Sequence, residues 1–173
     1  MFQQRTIGGF NLDFDIALEL VISAKMLVAL FLGAVIGFDR ELHGSDAGIR
    51  TYAAVTIGST LFTSVAAHII TDPTAASRIV ANIVTGVGFL GAGIIYRDGK
   101  GSSRGLTTAA TVWCSSAVGI AVGLNMFVIA IGATAVLYGL ISLHHQKWYI
   151  NWKQQLAKNH SRKDSENHEK DGA

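Results

Sequence analysis

Charge-free stretches alternate along this chain with short charged segments. No Asp, Glu, Lys or Arg occurs in residues 51–71, in 79–96, or across the 38 residues 106–143. Apolar runs of about 18 residues or more are long enough to cross a bilayer as helices. Another run, 16–38, is interrupted only by Glu19 and Lys25. The run 106–143 is about twice the ~20 residues that one crossing needs. Gly123, Leu124 and Asn125 sit near its midpoint and supply a turn. The pattern therefore predicts five spans: 16–38, 52–70, 79–96, 106–122 and 126–143.

An odd number of spans puts the chain ends on opposite sides, and the distribution of basic residues orients them. With the C-terminus in the cytoplasm, the cytoplasmic segments hold Arg40, Arg50, Arg97, Lys100, Arg104, Lys147, Lys153, Lys158, Arg162, Lys163 and Lys170. The outer segments hold only Arg5 and Arg78, and Lys25 lies within the first span. The expected fold is all-α: a polytopic membrane bundle of five transmembrane helices, N-terminus outside and C-terminus cytoplasmic. Residues 1–15 form an N-terminal extracytoplasmic segment, 16–143 the transmembrane domain, and 144–173 a cytoplasmic juxtamembrane helix and disordered tail. In that tail Trp148, Trp152 and Leu156 fall at i, i+4 and i+8 beside Lys147, Lys153 and Lys158. The stripe suits either an interfacial helix or a plain short one.

Composition narrows the classes further. Only 15% of the 173 residues are charged, against about a quarter in soluble domains, and mean hydropathy is +0.37. The net charge of +2 gives no footing for nucleic acid. The single cysteine, Cys114, makes no internal disulfide. Asp13, Asp15 and Glu19 precede the first apolar run with only Arg5 before them, which is not the basic opening of a secretory signal.

The stretch "TGVGFLGAGIIYRDG", residues 85–99, contains Gly86, Gly88 and Gly91 at the spacing of a dinucleotide loop. Such a loop needs a preceding strand and an acidic residue about twenty positions on; here both flanks are apolar. In lipid, small residues instead let helices approach closely. On a helix, Asn82, Gly86 and Gly93 share one face, and Gly88 and Gly91 the opposite one, so the third span is expected to be central with a neighbour on each side. Gly33 with Gly37, and Gly119 with Gly123, form further G-x-x-x-G packing steps.

Polar residues within the spans are Lys25, Asn82, Thr107, Thr111 and Cys114, with Thr108 and Ser115 beside the last stripe. Helix packing through local hydroxyl bonds and a polar lining for a solute path are both open readings. Lys25 either snorkels outward or pairs with a carboxylate. At the cytoplasmic ends Asp39, Arg40, Glu41, Asp46, Arg50 and Thr51 flank the first loop, and Arg97 and Arg104 the second. They form either a solvated anchor or a cluster binding a cation, a lipid headgroup or a partner. Asp39, Glu41 and Asp46 are weak metal candidates; Mg²⁺ is a possible ligand and no cofactor is expected. The six histidines lack metal-ligand spacing. No nucleophile and base stand at a telling spacing, so an enzyme is not expected.

Three long segments, "GAVIGFDRELHGSDAGIRTYAAVTIGSTLF", "SRIVANIVTGVGFLGAGIIYR" and "RGLTTAATVWCSSAVGIAVG", resemble the MgtC/SapB family of bacterial inner-membrane proteins, in order and over residues 27–143. Asp39-Arg40-Glu41 stands where the family usually has Glu-Arg-Glu, and Asn82 where Gln is frequent. The chain resembles the short branch without a C-terminal soluble regulatory domain. The resemblance implies a multi-pass protein of the bacterial inner membrane, in contact with the lipid bilayer. It also implies a role in magnesium limitation, acid stress or survival inside host cells, through a membrane-protein partner, a homo-oligomer or cation transport.

Overall fold

The computed structural model describes residues 5–7, 10–12, 15–70, 72–97 and 102–143. Five helices carry the chain: α1 (Ile16–Leu42), α2 (Ile49–Ile69), α3 (Pro73–Ile94), α4 (Leu106–Gly123) and α5 (Phe127–Leu143). Their positions follow the charge-free runs. α1 extends past residue 38 because Asp39, Arg40 and Glu41 continue the helix at its end. The starts are set by local chemistry. Asp15 caps α1 by accepting from the Ala17 amide at 2.9 Å, and Asp72 caps α3 with Pro73 in its first turn. Two short antiparallel hairpins depart from the all-α expectation. β1 (Arg5–Ile7) pairs with β2 (Phe10–Leu12), and β3 (Tyr96–Arg97) with β4 (Ser103–Arg104). They are too short to be announced by periodicity. The aromatic stripe and tail expected in 144–173 lie outside the described residues.

Three of these helices, α1, α3 and α4, are long and apolar enough to cross a membrane. α2 has the length, but its threonines and serines lower its hydropathy; α5 is apolar and 17 residues long. Between α4 and α5 the chain reverses through Asn125 at φ 63°, a left-handed conformation that Asn tolerates better than most side chains. Asn125→Ala is expected to cost about 1 kcal/mol and Asn125→Gly almost nothing, read from thermal unfolding in detergent.

The centre of the bundle is α4, not α3. α4 packs against α1, α2, α3 and α5, and 56% of its apolar window is buried, against 11% for α3. This corrects the expectation of a central third span. Of its glycines only Gly91 meets another helix, with Ala109 Cβ 3.6 Å from where its own Cβ would be. Gly86, Gly88 and Gly93 have no described residue within 4 Å at that position, and Asn82 is exposed. The close crossings lie elsewhere. A Cβ on Gly33 of α1 or on Gly119 of α4 would run into α2 at Thr56; one on Gly37 would lie 2.6 Å from Ile49 Cα, and one on Gly123 2.7 Å from Thr63 Cβ. α2 is thus gripped from both sides by glycine steps, with Thr56 the shared contact.

Candidate functional site

The α2–α4 interface is built on hydroxyls. Thr56, Ser59, Thr60, Thr63 and Ser64 of α2 recur at helical spacing and are buried. Opposite them Thr108, Thr111, Ser115 and Ser116 of α4 are buried as well. The Ser59 hydroxyl donates to Ser116 Oγ at 3.2 Å, and that of Thr60 to the Gly119 carbonyl at 2.8 Å. Thr56 donates to the Tyr52 carbonyl of its own helix, and Ser115 to that of Val112 at 2.7 Å. Polar groups removed from water are costly unless hydrogen-bonded, and most of these hydroxyls are satisfied, some across the interface and some by carbonyls of their own helix. Thr63 Oγ1 has no partner among the described residues.

A cation closes each end of this column. At one end Lys25 of α1 is buried, and its Nζ donates to the Gly123 carbonyl at 3.2 Å. Ser64 Oγ donates to the same carbonyl at 3.4 Å. Lys25 therefore neither snorkels nor meets a carboxylate; it sits at the C-terminus of α4, where unpaired carbonyls carry partial negative charge. At the other end Arg40 Nη2 donates to Ser45 Oγ at 2.8 Å and to Thr108 Oγ1 at 3.2 Å. Those two hydroxyls are 3.0 Å apart. The Thr111 hydroxyl donates to the Thr108 carbonyl at 2.9 Å, and the Tyr52 hydroxyl bonds to Thr111 Oγ1.

The expected charged cluster is only partly assembled. Asp39 is buried, with Oδ2 3.7 Å from His43 Nδ1. Glu41 Oε2 accepts from the Ile49 amide at 2.9 Å and so caps α2. Asp46, Arg50 and Thr51 are exposed around the start of α2, and Arg97 and Arg104 are exposed on the β3–β4 hairpin. Helix geometry explains the dispersal: successive residues diverge by about 100°, so Asp39, Arg40 and Glu41 face three ways. The three acidic candidates are not brought together: no group of three His, Cys, Asp or Glu that could hold an ion occurs among the described residues.

The intramembrane stripe is rotated from its expected position. Thr111 faces the column, but Thr107 is exposed and Cys114 half-buried, while Thr108 and Ser115 point inward. Ser45, Tyr52 and the α2 hydroxyls were not singled out from the sequence. The signal for them was present: polar residues at i, i+3, i+4, i+7 and i+8 from Thr56 within a charge-free run.

Comparison with known proteins places this architecture. The sequence profile described as "MgtC family" matches residues 26–147, more than half of the chain and nearly all of α1 to α5. The chain belongs to the MgtC family. Among curated MgtC-family relatives, "Protein MgtC" of Salmonella typhimurium (strain LT2) is 45% identical over 113 residues, covering 65% of this chain and 48% of that protein. "Protein MgtC" of Brucella abortus (strain 2308) is 41% identical over 121 residues, covering 70% and 50%. An uncharacterized protein of Haemophilus influenzae is 37% identical over 143 residues, covering 75% and 59%. The chain spans about half the length of the curated MgtC proteins it matches. No solved structure matches it. The MgtC match takes in Arg40, Ser45, both hydroxyl rows and the open face of α3, and begins one residue after Lys25. With three helices able to span a bilayer, this MgtC-family chain is a helical membrane protein.

Proposed function

We propose that this protein is a non-enzymatic, five-span protein of the bacterial inner membrane, N-terminus outside and C-terminus cytoplasmic. It acts in adaptation to magnesium limitation or acid stress through contact with another membrane protein or with its own copies. The observation that carries this reading is the open face of α3. Asn82 and Gly86 line an apolar groove of about 520 Å³ between α2 and α3, and Gly86 and Gly93 on that face meet no other described residue within 4 Å of a Cβ. Lipid gives helices no hydrophobic reason to associate; small residues and a polar amide are the surfaces that do. Arg50, exposed at the start of α2, adds a charged contact on the cytoplasmic side.

The test is a pair of variants, Gly86→Leu and Arg50→Ala, in a strain lacking the native gene. Both are expected to reach the membrane at wild-type levels, to abolish growth at low Mg²⁺, and to lose crosslinks from a photoreactive residue at position 90. Full growth by both would refute the contact reading. A second reading, a cation transporter, is favoured by the hydroxyl column, whose length runs from Arg40 to Lys25. The two cations at its ends oppose passage of Mg²⁺. Purified protein in liposomes is therefore expected to give no Mg²⁺ or proton flux, and reproducible flux would reverse the order of the two readings.

A further inference from the structure

We propose that Arg40, Ser45 and Thr108 form a binding site for a phosphate-type oxyanion, supplied either by an anionic lipid headgroup or by free phosphate. The first observation is a cation without a counter-ion. Among the described residues no carboxylate lies within 4.0 Å of the Arg40 guanidinium, whose neighbours are neutral hydroxyls: Ser45 and Thr108, which accept from Nη2, and Tyr52. The carboxylates that flank it in sequence do not pair with it: Asp39 Oδ2 is buried 3.7 Å from His43 Nδ1 with no hydrogen-bond partner, and Glu41 accepts from the Ile49 amide. The second observation is that Arg40 Nε is buried with no hydrogen-bond partner. A buried guanidinium donor normally has an acceptor, and leaving one unmet is costly. Arg40 thus keeps both net charge and donor capacity for a ligand.

The surroundings fit the same ligand. Thr108 lies in the first turn of the 18-residue α4, whose N-cap, Gly105, offers no side-chain acceptor. The first amides of that helix therefore remain available, and a helix N-terminus favours anions. Gly105 has φ 82°, and a Cβ there would run into the Ile94 carbonyl, so no larger residue can take the cap position without displacing the end of α3. Ser45 and Arg40 are half-buried, so the site is not sealed inside the bundle. The planar fork of Arg matches two phosphate oxygens, and the Ser45 and Thr108 hydroxyls can turn to donate to a third. The lipid source rests on the cytoplasmic placement in the proposed function; the site chemistry does not.

The test uses the purified full chain in nanodiscs of phosphatidylcholine with and without phosphatidic acid, read by native mass spectrometry. A parallel titration with inorganic phosphate is followed in detergent. Wild-type protein is expected to retain phosphatidic acid over phosphatidylcholine, or to bind phosphate, or both; the arm that responds identifies the source. Loss of a charge-assisted hydrogen-bonding partner is expected to weaken binding about tenfold or more in Arg40→Gln. Thr108→Val is expected to weaken it severalfold, and Arg50→Gln to leave it unchanged. Thr108→Val keeps the side-chain volume, so it carries the test should Arg40→Gln fail to fold. Wild-type binding of neither probe, or undiminished binding by Thr108→Val and a folded Arg40→Gln, overturns the site. All readouts are binding to purified protein, so failure of the low-Mg²⁺ growth prediction leaves them untouched.

Discussion

Gly33→Leu and Gly119→Leu are each expected to prevent accumulation of folded protein, whereas Gly88→Leu leaves the fold intact. All three positions lie on helices in a charge-free or nearly charge-free run, so composition does not separate them. Their neighbours do. At Gly33 even a Cβ would collide with Thr56 Oγ1 and lie 2.8 Å from the Tyr52 carbonyl oxygen; at Gly119 it would collide with the Thr56 carbonyl and lie 2.8 Å from Ser59 Cβ. Two of these obstacles are backbone, which cannot turn aside as a flexible side chain can. Overpacking costs about 1–3 kcal/mol where the core can relax, and a leucine against backbone exceeds that range. Displacing α2 would also break the Ser59–Ser116 and Thr60–Gly119 hydrogen bonds. Fluorescence-detected size exclusion of tagged protein would measure this: the Gly33 and Gly119 variants lose the monodisperse peak and the Gly88 variant keeps it. A normal peak for Gly119→Leu would show that the α2–α4 crossing is looser than described.

Lys25→Glu is expected to destabilise the protein by several kcal/mol, and Lys25→Met by much less. Lys25 Nζ donates to the Gly123 carbonyl, the last residue of α4, in a buried position. A glutamate there would place an anion against a carbonyl oxygen and the negative end of the helix, with no cation to offset it. Uncompensated buried charge of that kind costs about 3–5 kcal/mol, and the helix end adds about 0.3–1 kcal/mol of the same sign. Methionine removes the charge together with its desolvation and leaves the Gly123 carbonyl its hydrogen bond from Ser64, so about 1 kcal/mol is expected, the size of one ordinary hydrogen bond. Thermal melts in detergent at neutral pH would rank the three proteins as wild type, Lys25→Met, then Lys25→Glu. An equal loss in both variants would mean that the charge itself is needed.

The positions of the helices were legible in the sequence because lipid demands long runs without charge, and such runs need no neighbour to be recognised. α4 begins and ends within a residue of its expected limits, and the turn through Asn125 falls where Gly123, Leu124 and Asn125 suggested it. Which face of each helix looks inward was much less legible. In a soluble helix polarity marks the outside; in a bilayer the lipid side and the protein side are both apolar. Small residues were taken as the substitute marker. They served for Gly33, Gly37, Gly119 and Gly123, which meet α2, and misplaced α3, whose Gly86, Gly88 and Gly93 have no described residue within 4 Å of a Cβ. The stripe on α4 shows the same limit. Thr107, Thr111 and Cys114 fit helical spacing as well as Thr108, Thr111 and Ser115 do, and only the hydroxyl row of α2 across the interface selects the second set. The charged cluster is assembled only in part for a simpler reason: neighbours in sequence at a helix end diverge in space.

The hydroxyl row of α2 finds its partners on α4, and these leave the ribosome 57 to 59 residues later. Until that segment has emerged, a nascent chain holding α1 to α3 carries exposed Ser59 and Thr60 hydroxyls in the translocon or in lipid. Biogenesis therefore depends on delivery of the fourth segment more than on the insertion of any earlier one. A chain stalled before Leu106 would present an unfinished polar seam to membrane quality-control proteases.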